Sequence, residues 1–150
     1  MIPSLTHRLA AAITLACCAC GPRYSLEPGS SEPEGIPEVF DALEAITARD
    51  MPHVHLAFAH APVACPRNTP TKYAGCYEYV AGEPHLTIGP DTDWGDPYGP
   101  AADARCTTLA HELVHRMFGD HKHADPALWY AEHGLVRRVL ERVGCTLTPP

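Results

Sequence analysis

A small α+β domain is the fold this sequence predicts, and three observations carry the prediction. The chain has 150 residues, of which 45% are hydrophobic and 19% charged. That is one domain's worth of chain, able to bury its own core. No period of 20–50 residues recurs, which excludes a repeat array. The apolar pattern runs helix, three strands, loop, helix, helix. That order places a sheet on one side and the two C-terminal helices beneath it.

The chain opens on an address. Arg8, the short apolar run Leu9–Ala16 and the small residues that follow are the parts of a secretory signal peptide. The run falls short of the roughly 18–20 residues a membrane span needs. Cys17, Cys18 and Cys20 at its end resemble a bacterial lipobox, and each is a candidate lipidation site. A plain signal peptide and a retained N-terminus are the other readings. The expected location is outside the cytoplasm, either lipid-anchored in a bacterial cell envelope or secreted. Residues 21–36, with Pro22, Pro28 and Pro33 among Gly, Ser and Glu, read as a tether. Residues 37–150 form the expected domain.

Within it, Val39, Phe40, Leu43 and Ile46 recur at helical spacing behind Pro37, giving a helix over 37–49. Val54, Leu56 and Phe58 alternate with polar or small residues, giving a strand over 53–59 with His53 and His55 on its polar face. A second strand is expected over 75–81 and a third over 85–88, joined as a hairpin through Gly82-Glu83-Pro84. The third strand is short and reads as the edge on which an extended substrate would pair. The stretch 89–100 is a Pro/Gly/Asp loop. Its Asp91, Asp93 and Asp96 fail calcium-loop spacing, because Gly95 sits where a ligand is required. Ala110, Leu113, Val114 and Met117 form a helical stripe over 101–118, stopped by Gly119. A last helix over 126–143 begins at Pro126 and ends at Gly144.

The formal net charge is −7, and no Lys/Arg cluster is present. That balance argues against nucleic acid as a partner, and against a membrane except through an N-terminal lipid anchor. Of the 7 Cys, setting aside Cys17, Cys18 and Cys20 leaves Cys65, Cys76, Cys106 and Cys145. Four cysteines in an exported domain predict two disulfides, with three possible connectivities. The favoured pairing is Cys65–Cys76, closing a short loop, and Cys106–Cys145, tying two helices together. None of the four lies in a C-x-x-C pair, which makes a thiolate zinc site a poor reading.

The chemistry is expected in the 101–118 helix. It contains His111-Glu112-Leu113-Val114-His115, an H-E-x-x-H motif. Residues four apart stack on one helix face, one turn apart, so both imidazoles can reach one Zn²⁺. Glu112 is placed to take a proton from water rather than to bind the ion. Two histidines on a solvated helix are the plain alternative.

On these residues, roughly Arg105 to Trp129, the chain resembles the zincin metallopeptidases. The resemblance implies a small zincin-like α+β domain, one zinc ion per chain, His111 and His115 as ligands, Glu112 as general base, and a peptide or protein substrate. It also implies a third ligand further along. His121 has the metzincin interval from His111, but the metzincin glycine is one place late at Gly119, and no Met follows Met117 to form a Met-turn. This reading favours His123, which has more chain in which to return. His121 is the alternative, and Glu132 on the last helix is the gluzincin-like option. Asp120 and Asp125 are candidates to orient a ligand histidine, although Asp125 before Pro126 also reads as a helix cap. Tyr73, Tyr77, Tyr79, Tyr98 and Tyr130 are all candidate oxyanion partners. Two other classes stand beside the peptidase: a metal-binding surface lipoprotein without activity, and an exported interaction domain without metal.

Overall fold

The computed structural model describes residues 21–30, 35–61, 63–65, 72–89, 104–129 and 131–144. The candidate lipidation cysteines, Cys145, the 90–100 loop and Tyr130 lie outside them. The described residues form an α+β fold of three helices and a four-stranded sheet, with a separate two-stranded piece. In chain order the elements are β1 (Tyr24–Leu26), α1 (Ile36–Thr47), β2 (Val54–Phe58), β3 (Val63–Ala64), β4 (Lys72–Tyr73), β5 (Gly75–Val80), β6 (Glu83–Ile88), α2 (Ala104–Phe118) and α3 (Leu135–Val143). No helix among them is long and apolar enough to cross a membrane.

The first strand stands inside the stretch read as a tether. Tyr24, Ser25 and Leu26 pair in parallel with Val54, His55 and Leu56. Composition hides this strand because its partners are remote in sequence. The Arg23 guanidinium donates to Asp41 and Glu44 on α1. The Tyr24 ring packs on Phe40 with centroids 4.9 Å apart. Once β1 is held there, α1 becomes a crossover between two parallel strands, the connection that parallel pairing requires.

The sheet order is β1-β2-β6-β5. β2 and β6 are parallel, while β5 and β6 form the expected antiparallel hairpin. Two details depart from the sequence expectation. The turn is Ala81-Gly82, with Val80 opposite Glu83. Both turn residues have positive φ, 52° and 88°, which is what a two-residue hairpin loop following the strand twist needs. Pro84 can therefore sit within β6, one residue before the rung at which β2 joins. And β6 is interior: the end strand on that side is β5, so the expectation that 85–88 forms the edge is corrected.

One face of the sheet makes the core. Val54, Leu56, Leu86 and Ile88 are fully buried against Val39, Phe40 and Leu43 of α1, Leu109, Leu113 and Val114 of α2, and Val136 and Val139 of α3. Fully burying side chains of this size contributes about 1.5–3 kcal/mol each. Cys65 and Cys76 are bonded, fastening β5 to the short β3 segment. Cys106 is buried and disulfide-bonded.

The last helix is broken where the sequence reads it as continuous. A 3-10 turn covers Pro126–Leu128, capped by Asp125, whose carboxylate accepts from the Ala127 N–H at 3.0 Å. The chain then folds back before α3 starts at Leu135. Two contacts force the break. The Trp129 side chain turns inward, 5% exposed, and its indole N–H donates to Asp120 at 3.0 Å. Gly134 passes so close to Trp129 that a Cβ there would stand 1.9 Å from the Trp129 carbonyl oxygen. Glu132 and His133 consequently lie exposed in the bend, not on a helix.

Candidate metal centre

The α2 helix supplies the first two donors. Its stripe of Leu109, Ala110, Leu113 and Val114 faces the core, which leaves His111 and His115 stacked along the adjoining face, their ring centroids 4.8 Å apart. Gly119, with φ 69°, ends the helix and its N–H still reaches the His115 carbonyl at 2.9 Å. The chain then turns back over the helix end, and His123 comes to lie over the other two. Its Nε2 is 3.0 Å from His111 Nε2, while His115 Nε2 is 3.1 Å from that same atom. Two donors about 2.0–2.1 Å from a tetrahedral ion stand roughly 3.3–3.4 Å apart. Two of the three nitrogen pairs are thus within a few tenths of an ångström of that spacing, all three ligand atoms lie within 4.8 Å of one another, and the three imidazoles can hold a metal ion.

The surroundings fix which nitrogen points inward. His115 Nδ1 lies 2.9 Å from the Asp120 carbonyl oxygen. A carbonyl only accepts, so Nδ1 carries the proton and Nε2 keeps its lone pair. The Asp120 carboxylate organises the returning loop. It accepts from the backbone N–H groups of Ala124 and Asp125 and from the Trp129 indole, each at 3.0 Å. Those donors, Asp125 first, hold its carboxyl well below the usual carboxylate range. His123 sits at φ 54°, a left-handed conformation costing roughly 1–2 kcal/mol in a non-glycine residue. The Asp120 bonds on either side of the turn keep it there. Beneath the donors lies the Trp129 ring, with centroids 4.8, 4.7 and 4.2 Å from His111, His115 and His123.

Burial among these groups disfavours the charged imidazole. It is the main cause that lowers His111 to about 3, helped by His115 and His123. Burial likewise lowers His115 to about 4, against the opposing effect of the Asp120 carbonyl. Neutral imidazoles are the form that binds metal.

Glu112 follows the first donor and points into the seam between α2 and β5. It is 8% exposed. Burial pushes its carboxyl up to about 8, opposed by a hydrogen bond from the Tyr77 backbone. The seam exists because residue 75 is glycine. A Cβ there would stand 2.4 Å from Thr108 Cγ2 and 3.1 Å from Glu112 Cγ, so only glycine lets β5 come close enough for its backbone to reach the carboxylate.

His121, the alternative third ligand, is not in the convergent group. Its ring lies between Tyr77, at 5.6 Å and 5°, and His115, at 5.8 Å and 13°. It stacks beside the donors instead of converging with them. Glu132 is outside the cluster. Among the described residues, the ring of the candidate oxyanion residue Tyr77 stacks on His121, and burial is the main cause that pushes its phenol up to about 12. Sequence reasoning missed Trp129 as the floor and Gly75 as the close approach. A tryptophan and a lone glycine carry no spacing signal, although a glycine opening a strand is a hint of close packing. No protein-family model, no curated protein and no solved structure matches this chain.

Proposed function

We propose that this chain is a zinc-dependent peptidase acting outside the cytoplasm, with Glu112 as general base. One observation carries the reading: three imidazole nitrogens converge at the helix that also carries Glu112, the buried residue next to the first donor in the chain. The donor chemistry suits zinc, since neutral imidazoles are ordinary zinc ligands and three of them leave a position for water or substrate. His111, His115 and His123 would hold the ion. Zinc bound there supplies Lewis acidity and eases loss of a proton from water.

The chain's own residues do the rest. Glu112, in its ionised form, takes one proton from the attacking water as the water oxygen bonds to the peptide carbonyl carbon. The C–N bond then breaks, and Glu112 returns that proton to the departing amine. β5 is an end strand of the sheet and borders α2 along the Glu112 seam, which supports an extended peptide lying along Gly75–Val80. The Cys65–Cys76 bond supports an oxidising compartment, in keeping with the candidate export segment and its lipidation cysteines.

A zinc-binding protein without activity is the second reading. It would be favoured by a closed site with four protein donors. The stacked placement of His121 supports the open site instead.

The test is cleavage of a mixed peptide library by the wild type and by Glu112→Gln. The variant is expected to keep its zinc and to lose activity by about 10²–10⁴-fold, the usual contribution of a general base. A Glu112→Gln protein that cleaves as the wild type does would sink the mechanism. A wild type that holds zinc and cleaves nothing would favour the second reading.

A further inference from the structure

Trp129 touches all three imidazoles of the α2 centre, and peptide hydrolysis by Glu112 makes no use of it. The ring centroids of His111, His115 and His123 are 4.8, 4.9 and 4.8 Å apart. The Trp129 ring stands 4.8, 4.7 and 4.2 Å from the same three. The four rings therefore sit at the corners of a nearly regular tetrahedron. Three corners carry donor nitrogens. The fourth carries none, because an indole N–H only donates. The indole thus covers one side of the plane through the three donor rings.

That side is closed and fixed. Trp129 is 5% exposed, and rings packed at these separations leave no void for a water between them. The indole N–H donates to the Asp120 carboxylate at 3.0 Å, and the Trp129 backbone N–H donates to the Pro126 carbonyl at 3.3 Å. Gly134 lies against the Trp129 carbonyl, where a Cβ would stand 1.9 Å away. Asp120 also serves the donors. Its carbonyl accepts from His115 Nδ1, and its carboxylate accepts from the Ala124 and Asp125 N–H groups just after His123. One residue thus ties the cover to two of the three donors.

An ion held by the three imidazoles has two sides from which further ligands could approach. The indole fills one, so water or substrate reaches the ion from the other alone. Apolar surroundings of a metal control solvent access in this way. A one-sided site suits Zn²⁺, which is commonly four-coordinate and has no geometric preference from its d electrons. It penalises Ni²⁺, whose tetragonal sets add ligands on both sides of a donor plane. We propose that Trp129 is a positioning residue that confines exchangeable ligands to one side of the α2 centre and so sets its preference for Zn²⁺ over Ni²⁺. This role rests on the metal centre of His111, His115 and His123, and not on the hydrolysis.

The test is competition titration of the intact chain with Zn²⁺ and Ni²⁺, with the visible spectrum of the Co²⁺-loaded chain beside it. The proteins are the wild type, Trp129→Phe and Trp129→Ala, each checked for folding by circular dichroism. Trp129→Phe keeps a flat ring and removes the N–H given to Asp120. It should lower both affinities together and keep their ratio. Trp129→Ala opens the covered side. Its preference for Zn²⁺ over Ni²⁺ should fall by about tenfold or more, within the range that residues behind the ligands contribute, and its Co²⁺ band should weaken as water adds to the ion. An unchanged ratio in Trp129→Ala overturns the proposal. So does an equal fall in Trp129→Phe, which would assign the effect to the Asp120 bond. If Trp129→Ala does not fold, Trp129→Leu, which fills space without a flat ring, takes its place under the same criteria. A wild type that takes up none of the three ions overturns the metal centre itself, and this role with it.

Discussion

The helix and the sheet each bring neighbouring histidine rings to about 5 Å, and only the helix makes three of them converge. On α2 the four-residue interval aims His111 and His115 along one face. A returning loop then drops His123 onto them, and the nitrogens close to 3.0–3.1 Å. On the sheet, lateral neighbours project along nearly parallel directions, and the His55 and His85 rings stack at 25°. Spacing alone therefore does not make a site. The angle between the donor directions does, and here a helix end followed by a tight turn sets it.

The comparison can be broken most strongly at His111. Its replacement by Ala should lower zinc affinity beyond the 10–100-fold that a supporting residue costs, read by competition with a chromogenic chelator.

Asp120 comes next, because its carboxylate ties together the loop that makes the inner group converge. Asp120→Ala should reduce zinc affinity by about 10–100-fold while α2 stays folded. Its Co²⁺-substituted absorption spectrum should shift as His123 moves. An unchanged spectrum and affinity would mean that the loop holds its shape without the carboxylate.

Gly75→Ala acts on the seam and not on the donors. The added methyl would stand 2.4 Å from Thr108 Cγ2. Overpacking of this kind destabilises by about 1–3 kcal/mol, and thermal unfolding should register it as a fall in Tm. An unchanged Tm would mean that β5 and α2 are less closely packed than described.

The smallest effect belongs to His121. It stacks with His115 without joining the convergent group, so His121→Ala should change zinc affinity by no more than about tenfold, within what a supporting contact contributes. A loss as large as that of His111→Ala would make His121 a ligand.

How much of this was legible beforehand follows from how local each signal is. The stacked pair on α2 is written in a four-residue interval, and the β5–β6 hairpin in two short alternating runs around a glycine. Cys65 and Cys76 are eleven residues apart, and that nearness suggested their pairing. Strand β1 was hidden because Arg23 finds Asp41 and Glu44 only after α1 has folded. The break at Trp129 was hidden because periodicity continues through it, while the indole is drawn away by Asp120. The conformation of the returning loop carried no sequence signal: a turn at His121–Lys122 and the left-handed backbone of His123 set where each imidazole goes.

The most direct measurement is the zinc content of the purified chain after dialysis, set beside that of His123→Ala. The account predicts about one tightly held zinc per wild-type chain and its loss in the variant, with the fold retained. No tight zinc in the wild type, or equal zinc in both proteins, would contradict the claim that these three histidines build the metal centre.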